Sequence, residues 1–159
     1  MIVLGIDPGT ATTGYGVLKS EIGRLEHITH GTILTSKNDQ LPMRYLSLYD
    51  QLCALIKEHS PDVIATEKLF FTKNVNTGIS VGGSIGVILL ACAQNAIPWV
   101  EYRPAEVKLA VVGYGAAEKH QVQYMVKHLL GLTDSPTPDD AADGLAIAIC
   151  HAHSSIHRK

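Results

Sequence analysis

Apolar and polar positions along the chain alternate between two periods, one that suits strands and one that suits helices. Residues 1–6 are a short apolar run with β-branched members that ends at Asp7-Pro8-Gly9, the pattern of a buried strand entering a turn. Residues 14–18 and 25–34 continue as strands, punctuated by Gly16, Gly23 and Gly31, so the chain opens with two or three antiparallel strands. Pro42 then starts a helical pattern in which Tyr45, Tyr49, Leu52 and Ile56 recur, and Ser60-Pro61 stops it. Residues 63–66 read as a buried strand that delivers Glu67 at its end, 77–95 as a glycine-dotted helix and 97–102 as a short strand. Helices are predicted over 104–111, 117–130 and 139–153, the last opened by Thr137-Pro138-Asp139.

Antiparallel strands, then alternating helix and strand, then helices predict an α/β fold with a mixed sheet and helices on both faces. Sites in such sheets gather at the carboxyl ends of central strands. Asp7 and Glu67 fall at two of those ends.

Composition narrows the class. The chain has 159 residues, 46% of them hydrophobic and 18% charged, which predicts one globular domain over 1–159. Cys53, Cys92 and Cys150 are odd in number, widely spaced and set among apolar residues, as buried reduced thiols would be. The N-terminus lacks a basic segment before its apolar run, and the longest apolar stretch, 85–93, is short of the roughly 20 residues that span a bilayer. A cytoplasmic, membrane-free protein is the expectation. The net charge of −2 argues against a basic DNA-binding module. Setting aside four acids as metal ligands leaves eleven acids against thirteen bases, which weakens that objection.

Those four acids carry the chemistry. Asp7, Glu67, Asp140 and Asp143 lie in apolar surroundings with no adjacent run of Lys or Arg, where an ionised carboxylate needs a partner. A divalent cation bound by hard oxygens, Mg²⁺ or Mn²⁺, would be that partner. Asp140-Ala141-Ala142-Asp143 places two acids on one helix face, whereas Asp139 is accounted for by the helix dipole. The stretch Gly5-Ile6-Asp7-Pro8-Gly9-Thr10, followed by Gly14-Tyr15-Gly16, lets a phosphate or nucleic-acid backbone approach closely. Taken alone it suits either a metal-bearing nuclease strand or the phosphate loop of an actin- or sugar-kinase-type ATPase. The latter needs two lobes, and 159 residues supply one.

After Glu67, Phe70 and Phe71 adjoin the polar loop containing Lys73 and Asn74, a composition suited to stacking on unpaired bases. Lys119 stands at a predicted helix start, where the dipole disfavours a cation unless an anion is near, and Lys108 lies on the preceding helix. His151 and His153, two apart on a helix, diverge and do not make a zinc pair.

Together GIDPGTATTGYGV, IATEKLFFTKN, VVGYGAAEKHQVQ and DDAADGLAIAICH, in that order, resemble the RuvC family of bacterial Holliday-junction endonucleases across essentially the whole chain. The resemblance implies a ribonuclease H-like fold with a five-stranded mixed sheet. It implies a homodimer that resolves four-way DNA junctions by paired nicks in strands of like polarity, leaving 5′-phosphate and 3′-hydroxyl ends. By the same resemblance Asp7, Glu67, Asp140 and Asp143 bind two Mg²⁺ ions, with Mn²⁺ as a substitute, and Phe70 contacts unstacked bases. Lys108 and Lys119 are its basic residues at the cleaved strand, with Lys119 at the catalytic centre, and a branch-migration motor of the RuvA and RuvB type is the implied partner. Gly144 departs from the alanine usual after the final acid. A junction-binding protein without cleavage activity is the alternative.

Overall fold

The computed structural model describes residues 1–68 and 75–156. The elements follow as β1 (Ile2–Asp7), β2 (Thr12–Glu21), β3 (Arg24–Leu34), α1 (Leu41–His59), β4 (Val63–Glu67), α2 (Val75–Gln94), β5 (Trp99–Tyr102), α3 (Pro104–Val112), α4 (Lys119–Leu129) and α5 (Asp139–Ile156). The sheet order is β3-β2-β1-β4-β5. Strands β1, β2 and β3 pair antiparallel, while β4 runs parallel to β1 and β5 parallel to β4. This is the mixed sheet that the order of elements predicted, with the five strands that the resemblance implied.

Strand alternation assigns each side chain to a layer. Leu4, Ile6, Val17, Ile33 and Ile64 pack with Leu48, Leu52 and Ile56 of α1 and Ile88, Ala91 and Cys92 of α2. Val3, Leu18, Val63 and Ala65 pack on the other face with α3, α4 and α5. Asp7 shares the parity of Val3 and Gly5, and Glu67 that of Val63 and Ala65. Both acids therefore face the α5 layer.

Helix α5 lies between the sheet and α3 and α4, and Leu145 to Cys150 are all at most 1% exposed. This explains an apolar run too continuous for a surface helix. The helix approaches β1 and β2 backbone to backbone. A methyl group on Gly5 would collide with the Gly144 carbonyl oxygen and lie 2.5 Å from the Ala148 amide nitrogen. One on Gly144 would sit 2.6–2.8 Å from backbone atoms of Tyr15 and Gly16.

Several expectations change. The space at Gly14 and Gly16, read from the sequence as room for a phosphate backbone, is taken by Asp140 and Leu145 of α5. The glycine at 144 has a packing reason. The buried face of α1 is Leu48, Leu52 and Ile56. Tyr45 and Tyr49 stand at its margin, because each hydroxyl needs a partner and finds one on the neighbouring helix, Ser80 and Gln94 respectively. Cys92 and Cys150 are buried free thiols, but Cys53 is only half-buried. Among the described residues, no helix is long and apolar enough to cross a membrane.

Replacing Gly5 with Ala forces the helix and strand backbones apart, an overpacking cost of about 1–3 kcal/mol. Urea denaturation is expected to show a lower midpoint of that size. An unchanged midpoint would mean that α5 does not rest directly on β1.

Candidate metal centre

Asp7 ends β1, and Asp140 and Asp143 occupy the first turns of α5. The glycine contact brings these turns against the end of the strand. Asp7, Asp140 and Asp143 each offer a carboxylate oxygen, and the three atoms lie within 4.8 Å of one another. Glu67 stands outside that group. It lines a cavity of about 410 Å³ with Asp7, Asp143, Pro104, Val107, Lys108, Lys119, Val122 and Ala146. A roomier groove of about 710 Å³ lies at the far end of the sheet and contains none of the predicted residues.

Burial and mutual repulsion set the electrostatics. The Asp7 carboxyl is pushed up to about 7, first by burial and then by Asp143, Glu67 and Asp140, with Lys119 opposing. Burial and Asp143 raise Glu67 above the usual carboxylate range, and Lys108 acts against them. Asp143 is also raised by burial, although Lys119 holds it down. Such a cluster strongly disfavours full ionisation unless a cation joins it. Three hard-oxygen donors at this spacing fit a divalent ion of the Mg²⁺ or Mn²⁺ type.

The sequence suggested that no cation answers Asp143, and the fold supplies one. Lys119, the first residue of α4, places Nζ 3.0 Å from Asp143 Oδ2 and 3.5 Å from Asp139 Oδ2. The anion expected beside a lysine at a helix start is therefore a carboxylate of this same chain. Burial alone would lower the Lys119 ammonium, but its bonds to Asp143 and Asp139 hold it above its ordinary value. Asp7 takes part in none of the ion pairs among the described residues.

The remaining predicted residues fall as follows. Lys108 reaches the cavity from α3. His120 pairs with Glu118 and is exposed. His151 and His153 diverge, one bonding the Tyr102 hydroxyl and the other meeting the Ala110 carbonyl. Phe70, Phe71, Lys73 and Asn74 lie outside the described residues. Sequence reasoning placed Asp139 only at the helix dipole. In the structure it also accepts a hydrogen bond from Gln123 Nε2 at 2.9 Å. Its neighbour Lys119 was visible in the sequence, but the pairing depends on how α4 docks on α5.

Residues 3–151 match the family described as crossover junction endodeoxyribonuclease RuvC. A relative of that name from Syntrophomonas wolfei is 56% identical, the match covering 97% of this chain and 90% of its own. One from Caldicellulosiruptor saccharolyticus is 51% identical over 98% and 94%. The solved structure of Thermus thermophilus RuvC superposes with a TM-score of 0.92 at 31% identity, covering 99% and 96% of the two chains. A second solved structure, T. thermophilus RuvC in complex with Holliday junction substrate, gives 0.91 at 29% identity.

The raised Asp7 carboxyl makes metal binding depend on pH in a defined direction. Between about 4 and 7 the metal-free fold binds a proton that the unfolded chain has released, so its stability falls as pH rises through that window. A divalent cation needs the carboxylates ionised. We expect Mn²⁺ to raise the melting temperature more at pH 8 than at pH 5.5. Asp7→Asn is expected to stabilise the metal-free protein at pH 8 and to abolish most of the Mn²⁺ effect. An equal Mn²⁺ shift at both pH values would contradict this assignment.

Proposed function

The chain belongs to the RuvC family of crossover junction endodeoxyribonucleases, and from that premise we propose that it cuts four-way DNA junctions in recombination and repair. It does so by paired nicks in strands of like polarity, leaving 5′-phosphate and 3′-hydroxyl ends. The observation that carries this reading is the convergence of Asp7, Asp140 and Asp143 from a strand end and a helix start, within reach of one ion. Glu67 completes the acidic wall of the same cavity. A binding protein without cleavage activity has no use for so costly a cluster.

In this reading Asp7, Asp140, Asp143 and Glu67 hold Mg²⁺, two ions per site, with Mn²⁺ able to substitute. Divalent cations held by these four acids would supply Lewis acidity to the phosphodiester and would acidify an attacking water near neutral pH. Lys119 and Lys108, on the walls of the same cavity, meet the phosphate of the strand to be cut. Phe70, Lys73 and Asn74, which follow Glu67 in the sequence, meet the unpaired bases at the crossover.

Paired incision asks for two sites related by a two-fold axis, hence a homodimer. Two features of α2 support it as a contact. A methyl group added at Gly82 or Gly86 meets nothing within 4 Å, and Ile79 and Leu90 are 65% and 52% exposed. The family supports a branch-migration motor of the RuvA and RuvB type as partner, a cytoplasmic setting, and residues 1–159 acting as one nuclease domain.

A synthetic four-way junction with Mg²⁺ tests the proposal. The native protein is expected to nick it symmetrically and to stop when EDTA is added. Asp7→Asn, or the corresponding amide at Glu67, Asp140 or Asp143, is expected to cut at least a hundredfold more slowly while still binding the junction. Removing negative charge there favours phosphate contact if it changes it at all. Substantial nicking by Asp7→Asn would overturn the metal assignment.

A further inference from the structure

Asp139 is the first residue of α5, where a helix dipole welcomes an acid. A dipole asks only for negative charge and does not orient two oxygens. Here α4 engages both of them. Gln123 Nε2 donates to Oδ1 at 2.9 Å, and Lys119 Nζ lies 3.5 Å from Oδ2. The Lys119 ammonium thus rests on two carboxylates, Asp139 and Asp143. These two anchors have different fates. Asp143 belongs to the group able to hold a metal ion, and Asp139 does not. A cation that engages Asp143 competes with Lys119 for its oxygen and repels the ammonium.

We propose that Asp139, oriented by Gln123, is a positioning residue that keeps Lys119 beside the acid cluster once a divalent cation engages Asp143. Its consequence for cutting rests on the nuclease reading above, whereas the retention of Lys119 is a property of the chain alone. The side chains of Asp139 and Lys119 are 68% and 53% exposed, and a pair so exposed adds little to folding. Removing Asp139 therefore changes where the ammonium spends its time and leaves the fold in place. It also takes a negative charge away from the edge that meets DNA. Cutting should slow while junction binding holds or tightens, a split that general damage to the fold does not produce.

The test compares native protein with Asp139→Ala, Asp139→Glu and Gln123→Ala. Acylation of the Lys119 amine is followed by mass spectrometry without DNA, with and without Ca²⁺ as the probe ion. Native Lys119 is expected to respond little to Ca²⁺, whereas in Asp139→Ala its labelling rises at least threefold and Asp139→Glu restores protection. Single-turnover cutting by Asp139→Ala in Mg²⁺ is expected to fall about fivefold, with junction affinity in Ca²⁺ unchanged or higher. Gln123→Ala, which leaves Asp139 in place but untied, should shift both readouts in the same direction. The same Ca²⁺ response in native and Asp139→Ala protein, or native cutting by Asp139→Ala, overturns the proposal. Failure of the native protein to cut would instead contradict the nuclease reading, and the labelling would still decide the role of Asp139.

Discussion

Everything at the acidic edge depends on how closely helix α5 lies on strands β1 and β2. Side chains normally keep a helix and a sheet apart. Here Gly5 on the strand and Gly144 on the helix remove that spacer, and backbone meets backbone. The first turns of α5 are thereby drawn to the end of β1, where Asp7 projects from the same face as Gly5. The three acids lie within 4.8 Å because the main chains meet one turn away. The same contact buries the apolar length of α5, so the burial that stabilises the core also holds the carboxylates in an arrangement they would not adopt alone.

The fold also bears on the conflict between a net charge of −2 and a polyanionic substrate. Strands β1, β3, β4 and β5 all end at the same edge of the sheet, because β3 is antiparallel to β2 and β4 and β5 run with β1. Helices α1, α2 and α3 follow strands that end there, and α4 and α5 begin beside Asp143 and Asp7. Helix starts carry partial positive charge and favour phosphate. With Lys108 and Lys119 in the cavity, these helix starts oppose part of the repulsion among the carboxylates, and a bound divalent cation would oppose the rest.

Much of this was legible in the chain. Strand alternation and helix periodicity located the elements to within a few residues, since α4 begins at Lys119 with a capping box between Glu118 and Gln121 where 117 was expected. The acids stood out because each sits in an apolar run. What the sequence hid were contacts between distant segments. Glycines at 14 and 16 look the same whether a phosphate or a helix fills the space beside them. Lys119 and Asp143 are 24 positions apart and meet only through the docking of α4 on α5. Tyr45 and Tyr49 fit the helical period of a buried face, and only the positions of Ser80 and Gln94 show why they remain at its margin.

A crystal of the native protein soaked in Mn²⁺, with anomalous scattering recorded at the manganese edge, addresses the central claim most directly. The account predicts a peak within coordination distance of Asp7, Asp140 and Asp143, with Lys119 still beside Asp139. Manganese held elsewhere, or a peak at Asp143 that leaves Asp7 without a bond to it, would contradict the claim that the close approach of α5 to β1 exists to build one metal centre.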